Sequence, residues 1–164
     1  MPGARARRFW RLPPALLILA LATGCSVFDG TDTVSVFDLS TGDCVLAPED
    51  VTVEISEVTV VPCEEPHHLE AYALAEFPQS TGQSTTSAAG SSFPGDAALK
   101  DFADGACAEE FADYVGIDYR DSELWFTYLV PSARSWQAED DRSVLCFVTT
   151  TGEELTQSVA GTGW

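Results

Sequence analysis

Residues 96–115 read "DAALKDFADGACAEEFADYV". The apolar residues of this stretch recur at steps of three and four, which predicts one amphipathic helix with a single face toward a core. Pro94 and Gly95 precede the stretch, and Gly116 follows it at the position of a C-terminal cap. Cys107 lies on the apolar face, so we expect its sulfur to point into the core under the helix.

Apolar stretches on both sides of this helix predict β-strands. Residues 124–130 (LWFTYLV) and 143–149 (SVLCFVT) are apolar and rich in aromatic residues, which is typical of strands near the centre of a sheet. Residues 70–77 and parts of 36–63 are extended as well, and 158–164 is expected to add a last edge strand. One helix among about five or six strands predicts an α+β domain with a mainly antiparallel sheet.

The first 24 residues have the pattern of a targeting segment. Four arginines precede an apolar run, residues 12–22, which is shorter than the roughly twenty residues of a membrane span and has the length of a signal-peptide core. Small residues then lead into Cys25, and this arrangement resembles a bacterial lipobox. We therefore expect residues 1–24 to be a lipoprotein signal peptide and Cys25 to carry the lipid. The alternative is an ordinary secretory signal with a chance cysteine, and Sec or twin-arginine export both fit.

The remainder reads as one tethered domain. Residues 25–35 are polar and predict a short tether, and 36–164 predict a single domain with a core of its own. Within it, residues 79–92 (QSTGQSTTSAAGSS) are of low complexity and predict a flexible surface loop.

The charge of the mature part excludes one class of partner. After residue 24 the chain has 26 acidic and four basic residues, a net charge of −22. Such a surface is repelled by nucleic acid and by anionic headgroups, so we expect no nucleic-acid partner. A general acidic bias that favours solubility explains the charge as well as a dedicated binding face does.

Four cysteines remain once Cys25 is set aside. An even number in an oxidising compartment predicts two disulfides, and no CxxC pair indicates a zinc site. Three pairings are possible and the spacing does not choose between them. We predict Cys44–Cys63, which brackets the first strand pair, and Cys107–Cys146, which joins the helix to a central strand.

Several spaced motifs resemble the actinobacterial septum formation family of exported or membrane-anchored domains. The motifs are "FDLSTGDC" (37–44), "VVPCEEPHHLEAYA" (60–73), "FPGDAALKDFADGAC" (93–107), "YLVPSARSW" (128–136) and "DRSVLCFV" (141–148). The Ser/Thr-rich loop and the acidic residues before Asp141 depart from the family pattern. The resemblance implies a link to cell division or the envelope, with no established reaction.

The cluster with the most functional chemistry is Pro66, His67, His68 and Glu70. Adjacent histidines on an extended segment point to opposite faces, so both would bind one metal ion only if the loop bent sharply. We expect no metal and no cofactor here. Instead we expect His67 and Glu70, in the PHxxE signature that the resemblance implies, to fix the entry of a strand through hydrogen bonds to the backbone. His68 is expected at the surface.

Neither catalysis nor an exposed aromatic site is favoured. No motif places a nucleophile beside a base, so we expect no enzyme activity. Trp136 is expected in the core beneath a loop, the alternative being an exposed hot spot for a protein or glycan.

The sequence therefore predicts a non-enzymatic lipoprotein on the extracytoplasmic face of the cell membrane. Its expected role is a binding or assembly module in septum formation or envelope growth, with an envelope or division protein as partner. Two alternatives stay open: an enzyme or metal-dependent envelope factor that uses His67 and nearby acids, and a ligand-sensing module.

Overall fold

The computed structural model describes residues 31–48, 54–78 and 92–164. These ranges form one six-stranded antiparallel sheet with a long helix on one face. In chain order the elements are β1 (Asp32–Ser35), a 3₁₀ turn (Val36–Asp38), β2 (Cys44–Leu46), β3 (Glu57–Val61), β4 (Leu69–Glu76), α1 (Asp96–Val115), β5 (Trp125–Leu129), α2 (Ala133–Ala138) and β6 (Ser143–Thr149). The strand order is β1-β3-β2-β4-β6-β5, and every neighbouring pair is antiparallel. The predicted α+β class is confirmed.

The two faces of the sheet are covered differently. Side chains of β6 alternate between them, so that Val144, Cys146 and Val148 face α1 while Leu145 and Phe147 face away from it. α1 contributes a fully buried residue at nearly every turn: Leu99, Ala103, Cys107, Phe111 and Val115. No helix of comparable length among the described elements covers the other face, which is packed in part by Val36, Leu39 and Ile55.

Both predicted disulfides are present with the predicted pairing. Cys44–Cys63 joins β2 to the turn after β3, and Cys107–Cys146 joins the buried face of α1 to β6. The second bridge lies in the middle of the main core, since both of its cysteines are fully buried. The first bridge thus holds β2 to the turn after β3 on one side of the sheet, and the second holds β6 to α1 on the other.

Two strands differ from the expectations. The sequence assigns residues 32–35 to the tether, but they form β1 and pair with β3. Val34 packs there on the apolar cluster that faces away from α1 and includes Leu145 and Phe147. The sequence predicts segment 124–130 near the sheet centre, but β5 lies at the edge, and of the five residues of β5 only Phe126 and Tyr128 pack against the main core. The predicted signal peptide, the residues around Cys25 and the loop 79–91 lie outside the described ranges.

The C-terminal segment is not an edge strand. Leu155 forms an isolated bridge with His67, and the chain then turns toward the end of α1. There the N–H groups of Gly161 and Gly163 donate to the carbonyls of Tyr114 and Val115, at 2.8 Å each. The last carbonyls of a helix lack partners within it, so this tail satisfies them instead of extending the sheet.

No helix in the described ranges is both long and apolar enough to cross a membrane.

Candidate functional site

His67 joins the entry of β4 to the C-terminal segment. Its backbone exchanges two hydrogen bonds with Leu155, at 2.9 and 2.8 Å, and its side chain is fully buried. Nδ1 lies 2.8 Å from the carbonyl oxygen of Glu65. Because a carbonyl can only accept, Nδ1 carries the proton in this contact. Nε2 has no hydrogen-bond partner among the residues described. The imidazole thereby holds the turn that follows Pro62 and leads through Pro66 into β4.

Glu70, three residues later, is a fully buried carboxylate with three donors. Oε1 accepts from the hydroxyls of Tyr114, at 2.5 Å, and Ser158, at 2.6 Å, while Oε2 accepts from the backbone N–H of Val159, at 2.8 Å. Burial raises the pKa of Tyr114, and the hydrogen bond to Glu70 raises it further. Glu70 therefore ties β4 to α1 and to the C-terminal tail at one point.

Cys44 lies beside His67 and Glu70, and the three residues together could offer ligands to a metal ion. Donor atoms of Cys44, His67 and Glu70 all lie within 4.8 Å of one another. However, the sulfur of Cys44 is bonded to Cys63, and the oxygens of Glu70 already accept three hydrogen bonds. Metal binding requires a free thiolate and free lone pairs. An ion bound by all three residues would thus need the disulfide reduced and would share the Glu70 carboxylate with three hydrogen-bond donors.

His68 points away from this cluster, because the side chains of adjacent residues in an extended segment point in opposite directions. It is exposed, its Nδ1 accepts from the N–H of Ala47 at 3.2 Å, and its Nε2 is 3.8 Å from Glu154. The structure therefore does not bring the two histidines together.

Trp136 belongs to a different cluster, on α2. Ser132 caps this short helix through reciprocal hydrogen bonds with Ser135. The indole is 3% exposed, and the guanidinium of Arg142 lies over it at 3.8 Å. Arg142 also donates to the carbonyl of Trp136 at 2.8 Å. The edges of Phe77 and Phe93 complete the packing. Trp136 is thus a buried support for α2 and offers no exposed ring.

A groove of about 590 Å³ is lined mainly by residues on the sheet face opposite α1, and Tyr128 and Lys100 border it from the α1 side. Its floor contains a row of three leucines on adjacent strands, because the strand registers place Leu74 and Leu129 on either side of Leu145. Leu74 is 50% exposed, which is high for a leucine in the middle of a sheet. The floor is therefore an apolar surface that the described part of the chain leaves open.

The walls of the groove come from segments distant in sequence. Val36, Phe37 and Ile55 form part of one wall, and α2 with the residues before it forms part of another. Glu54 connects the two walls, since it accepts from the hydroxyl of Ser132 at 2.6 Å and pairs with Arg134 at 2.8 Å. The volume falls in the range usual for ligand-binding clefts.

Sequence reasoning missed this groove. Its lining is drawn from several segments that only the strand order brings together, so no local motif encodes it. The one available signal was Leu74, an apolar residue on the strand face where Glu76 is polar.

The comparisons give one match. The family model described as "Septum formation" matches residues 41–163, which include the cysteine framework, the segment from Pro66 to Glu70 and the whole of α1 and α2. A search of curated proteins and a search of solved structures found no match. Since the matched residues make up most of the chain, this protein belongs to the septum formation family.

Proposed function

We propose that this chain is a membrane-anchored lipoprotein whose domain acts in septum formation as a non-enzymatic binding or assembly module. Membership of the family supports a role in septum formation. The lipobox-like sequence that ends at Cys25 supports lipid anchoring on the extracytoplasmic face. The finer statement, that the domain works by contact, rests on the open groove opposite α1.

The chemistry of the segment from Pro66 to Glu70 agrees with this proposal. His67 and Glu70, the two groups best suited to acid–base work, are fully buried and hold neighbouring backbone and side chains. A catalytic base must be able to reach a proton on the substrate. Under the proposal these residues build the domain, and the groove and its surroundings make the functional contact.

The anchor is tested by exchanging Cys25. Cys25→Ala should abolish acylation and either release the protein or leave an uncut precursor, whereas Ser26→Ala, the neighbouring control, should be acylated and cut. Metabolic labelling with a fatty-acid analogue and detergent-phase partitioning measure both. A Cys25→Ala protein that is still processed and acylated would contradict the anchor.

The cellular role is tested with a fluorescent fusion. The fusion should be enriched at division sites, and Leu74→Asp in the groove floor should disperse it while the protein stays folded. Trp164→Asp, which changes an exposed apolar residue outside the groove, serves as the control and should remain enriched. An even distribution of the wild-type fusion, or a hydrolytic activity lost in a folded His67→Ala protein, would overturn the proposal.

A further inference from the structure

We propose that the outer edge of β5 binds an extended segment of a partner protein in which apolar and basic residues alternate. The inference rests on the proposed binding function and names the chemistry of the partner.

β5 is an edge strand with unused backbone groups. It pairs with β6 alone, and no other backbone hydrogen bond in the described ranges involves residues 125–129. In an antiparallel pair, alternate N–H and C=O groups of each strand point away from the partner. These groups are free to pair with an added strand, which is a recurrent mode of peptide recognition.

β5 also lacks the features that protect an edge. Natural edge strands are blunted by charged residues, proline or very short length. The sequence of β5, "WFTYL", has no charged residue and no proline, and Trp125 is 57% exposed. The opposite edge, β1, is a four-residue strand that begins with Asp32 and runs directly into a 3₁₀ turn. Of the two edges, β5 is the one suited to receive a strand.

One face of an added strand would meet an apolar surface. Trp125, Thr127 and Leu129 share the face opposite α1, because side chains alternate along a strand and Leu129 packs on that side. Leu129 also begins the leucine row of the groove floor. Alternate side chains of a bound segment would therefore lie beside Trp125 and the groove, where apolar residues gain most from burial.

The other face of an added strand would meet negative charge. Tyr128 points toward α1, where Asp104 and Asp101 lie close to its hydroxyl. Burial raises the pKa of Tyr128, and these two carboxylates raise it further. The single base of α1, Lys100, borders the groove together with Tyr128, so beside Tyr128 these two carboxylates stand against one base. Basic side chains at the remaining positions of the segment would complement this charge.

The same charge argues against a second copy of this chain on the edge. Two mature chains would each bring a net charge of −22 to the interface. Like charges held within about 10 Å of one another repel at ordinary ionic strength. A basic partner gains from the field that a second copy would oppose.

The test uses full-length protein in nanodiscs of zwitterionic phosphatidylcholine and a labelled, end-capped peptide of alternating lysine and valine. Fluorescence anisotropy should show that this peptide binds and that a glutamate–valine peptide does not. Thr127→Lys, on the β5 edge, should weaken binding by about tenfold, because an edge lysine blocks strand addition and repels the probe. Thr33→Lys is the matched control: it makes the same change on the exposed β1 edge and should leave binding nearly unchanged.

A second measurement locates the bound peptide. Hydrogen exchange of the backbone amides of residues 125–129 should slow when the peptide is present. Equal weakening by the two lysine variants, or unchanged exchange in β5, would mean diffuse attraction to an acidic surface and would overturn the proposal. So would a concentration-dependent dimer that Thr127→Lys abolishes, since a second copy would then occupy the edge. Enrichment at division sites is measured separately, so failure here leaves the proposed function standing.

Discussion

Glu70 is the residue whose contacts join the most parts of the molecule. A buried carboxylate is stable only if hydrogen bonds replace its lost hydration, and here they come from α1 and the C-terminal tail. The tail's position therefore depends on a side chain that lies some ninety residues earlier in the sequence. This explains physically why a carboxylate and not an apolar residue occupies the second position of β4.

The first prediction concerns this carboxylate. Glu70→Gln should lower the free energy of unfolding by about 1–3 kcal/mol, because an amide has one oxygen and cannot accept from all three donors. Glu76→Gln on the same strand is the control, since Glu76 is exposed and, among the described residues, its side chain accepts only from Ser143, at 2.8 Å. The control should stay within about 0.5 kcal/mol of the wild type. Equal losses in urea denaturation would show that Glu70 does not anchor the tail.

One buried tyrosine, Tyr72, and one half-buried tyrosine, Tyr114, predict how stability changes at alkaline pH. Burial raises the pKa of Tyr72 and of Tyr114 above the ordinary value of about 10. Above that value the unfolded state releases these protons while the folded state retains them. The stabilisation is therefore full below about pH 10 and is lost as pH rises beyond it.

Urea denaturation between about pH 8 and about pH 11 measures this loss. Tyr114→Phe should be less stable than the wild type at the lower pH, because Glu70 loses a donor, yet should show a shallower decline above about pH 10. A decline identical in slope to that of the wild type would exclude Tyr114 as a source of the pH dependence.

At the scale of elements, the two disulfides differ in access to solvent. Both sulfurs of Cys107–Cys146 lie in the main core between α1 and β6, whereas Cys63 is partly exposed in the turn after β3. Thiol–disulfide exchange requires the attacking thiolate to reach a sulfur atom. Solvent access alone therefore predicts that Cys44–Cys63 is reduced more readily than Cys107–Cys146.

We predict that a dithiol reductant opens Cys44–Cys63 first under native conditions. Alkylation followed by peptide mass spectrometry should label Cys44 and Cys63 while Cys107 and Cys146 remain protected. In urea both pairs should be labelled together, which controls for intrinsic reactivity. Earlier labelling of Cys107 and Cys146 would contradict the burial of that bridge.

α1 carries an unfavourable charge pattern that a substitution can relieve. Glu109 and Asp113 are four residues apart on the same side, where like charges destabilise a helix. Asp113 also lies in the last turn, where the helix dipole disfavours an acid. Glu109→Lys should thus stabilise the protein by about 0.5 kcal/mol at low salt, because it replaces the repulsion with an ion pair. Glu123→Lys, exposed in a loop before β5, makes the same charge change and should gain less in thermal denaturation.

These elements also show what the sequence can predict. α1 and β6 were predicted correctly because each carries its pattern within its own residues: a repeat of three and four in one, an unbroken apolar run in the other. The position of Cys107 on the apolar face of α1 also indicated that its sulfur points into the core. The edge position of β5 and the path of residues 158–164 depend instead on which distant segments pair with a given strand or contact the end of α1. The groove opposite α1 depends on the same non-local order, so it could not be read from any one stretch.

The net charge of the molecule affects both its folding stability and the proposed binding at the edge of β5. Residues 25–164 include 26 acidic and four basic residues. Bringing these charges together in the folded state costs free energy through self-repulsion, while the same charges attract a basic segment to the edge of β5. Salt screens both interactions, with a Debye length of about 10 Å at 0.1 M.

Salt should therefore move stability and binding in opposite directions. As sodium chloride rises from about 0.05 M to about 0.5 M, the thermal midpoint should increase because repulsion within the fold is screened, while the affinity for the lysine–valine peptide should fall. Potassium chloride should act alike at equal ionic strength, since screening does not depend on the identity of a monovalent cation. A midpoint that falls with salt would mean that the ion pairs, such as Arg134 with Glu54 and Arg142 with Asp140, outweigh the repulsion among the acids. An affinity independent of salt would mean that the apolar face of the edge strand, and not the charge on α1, selects the partner.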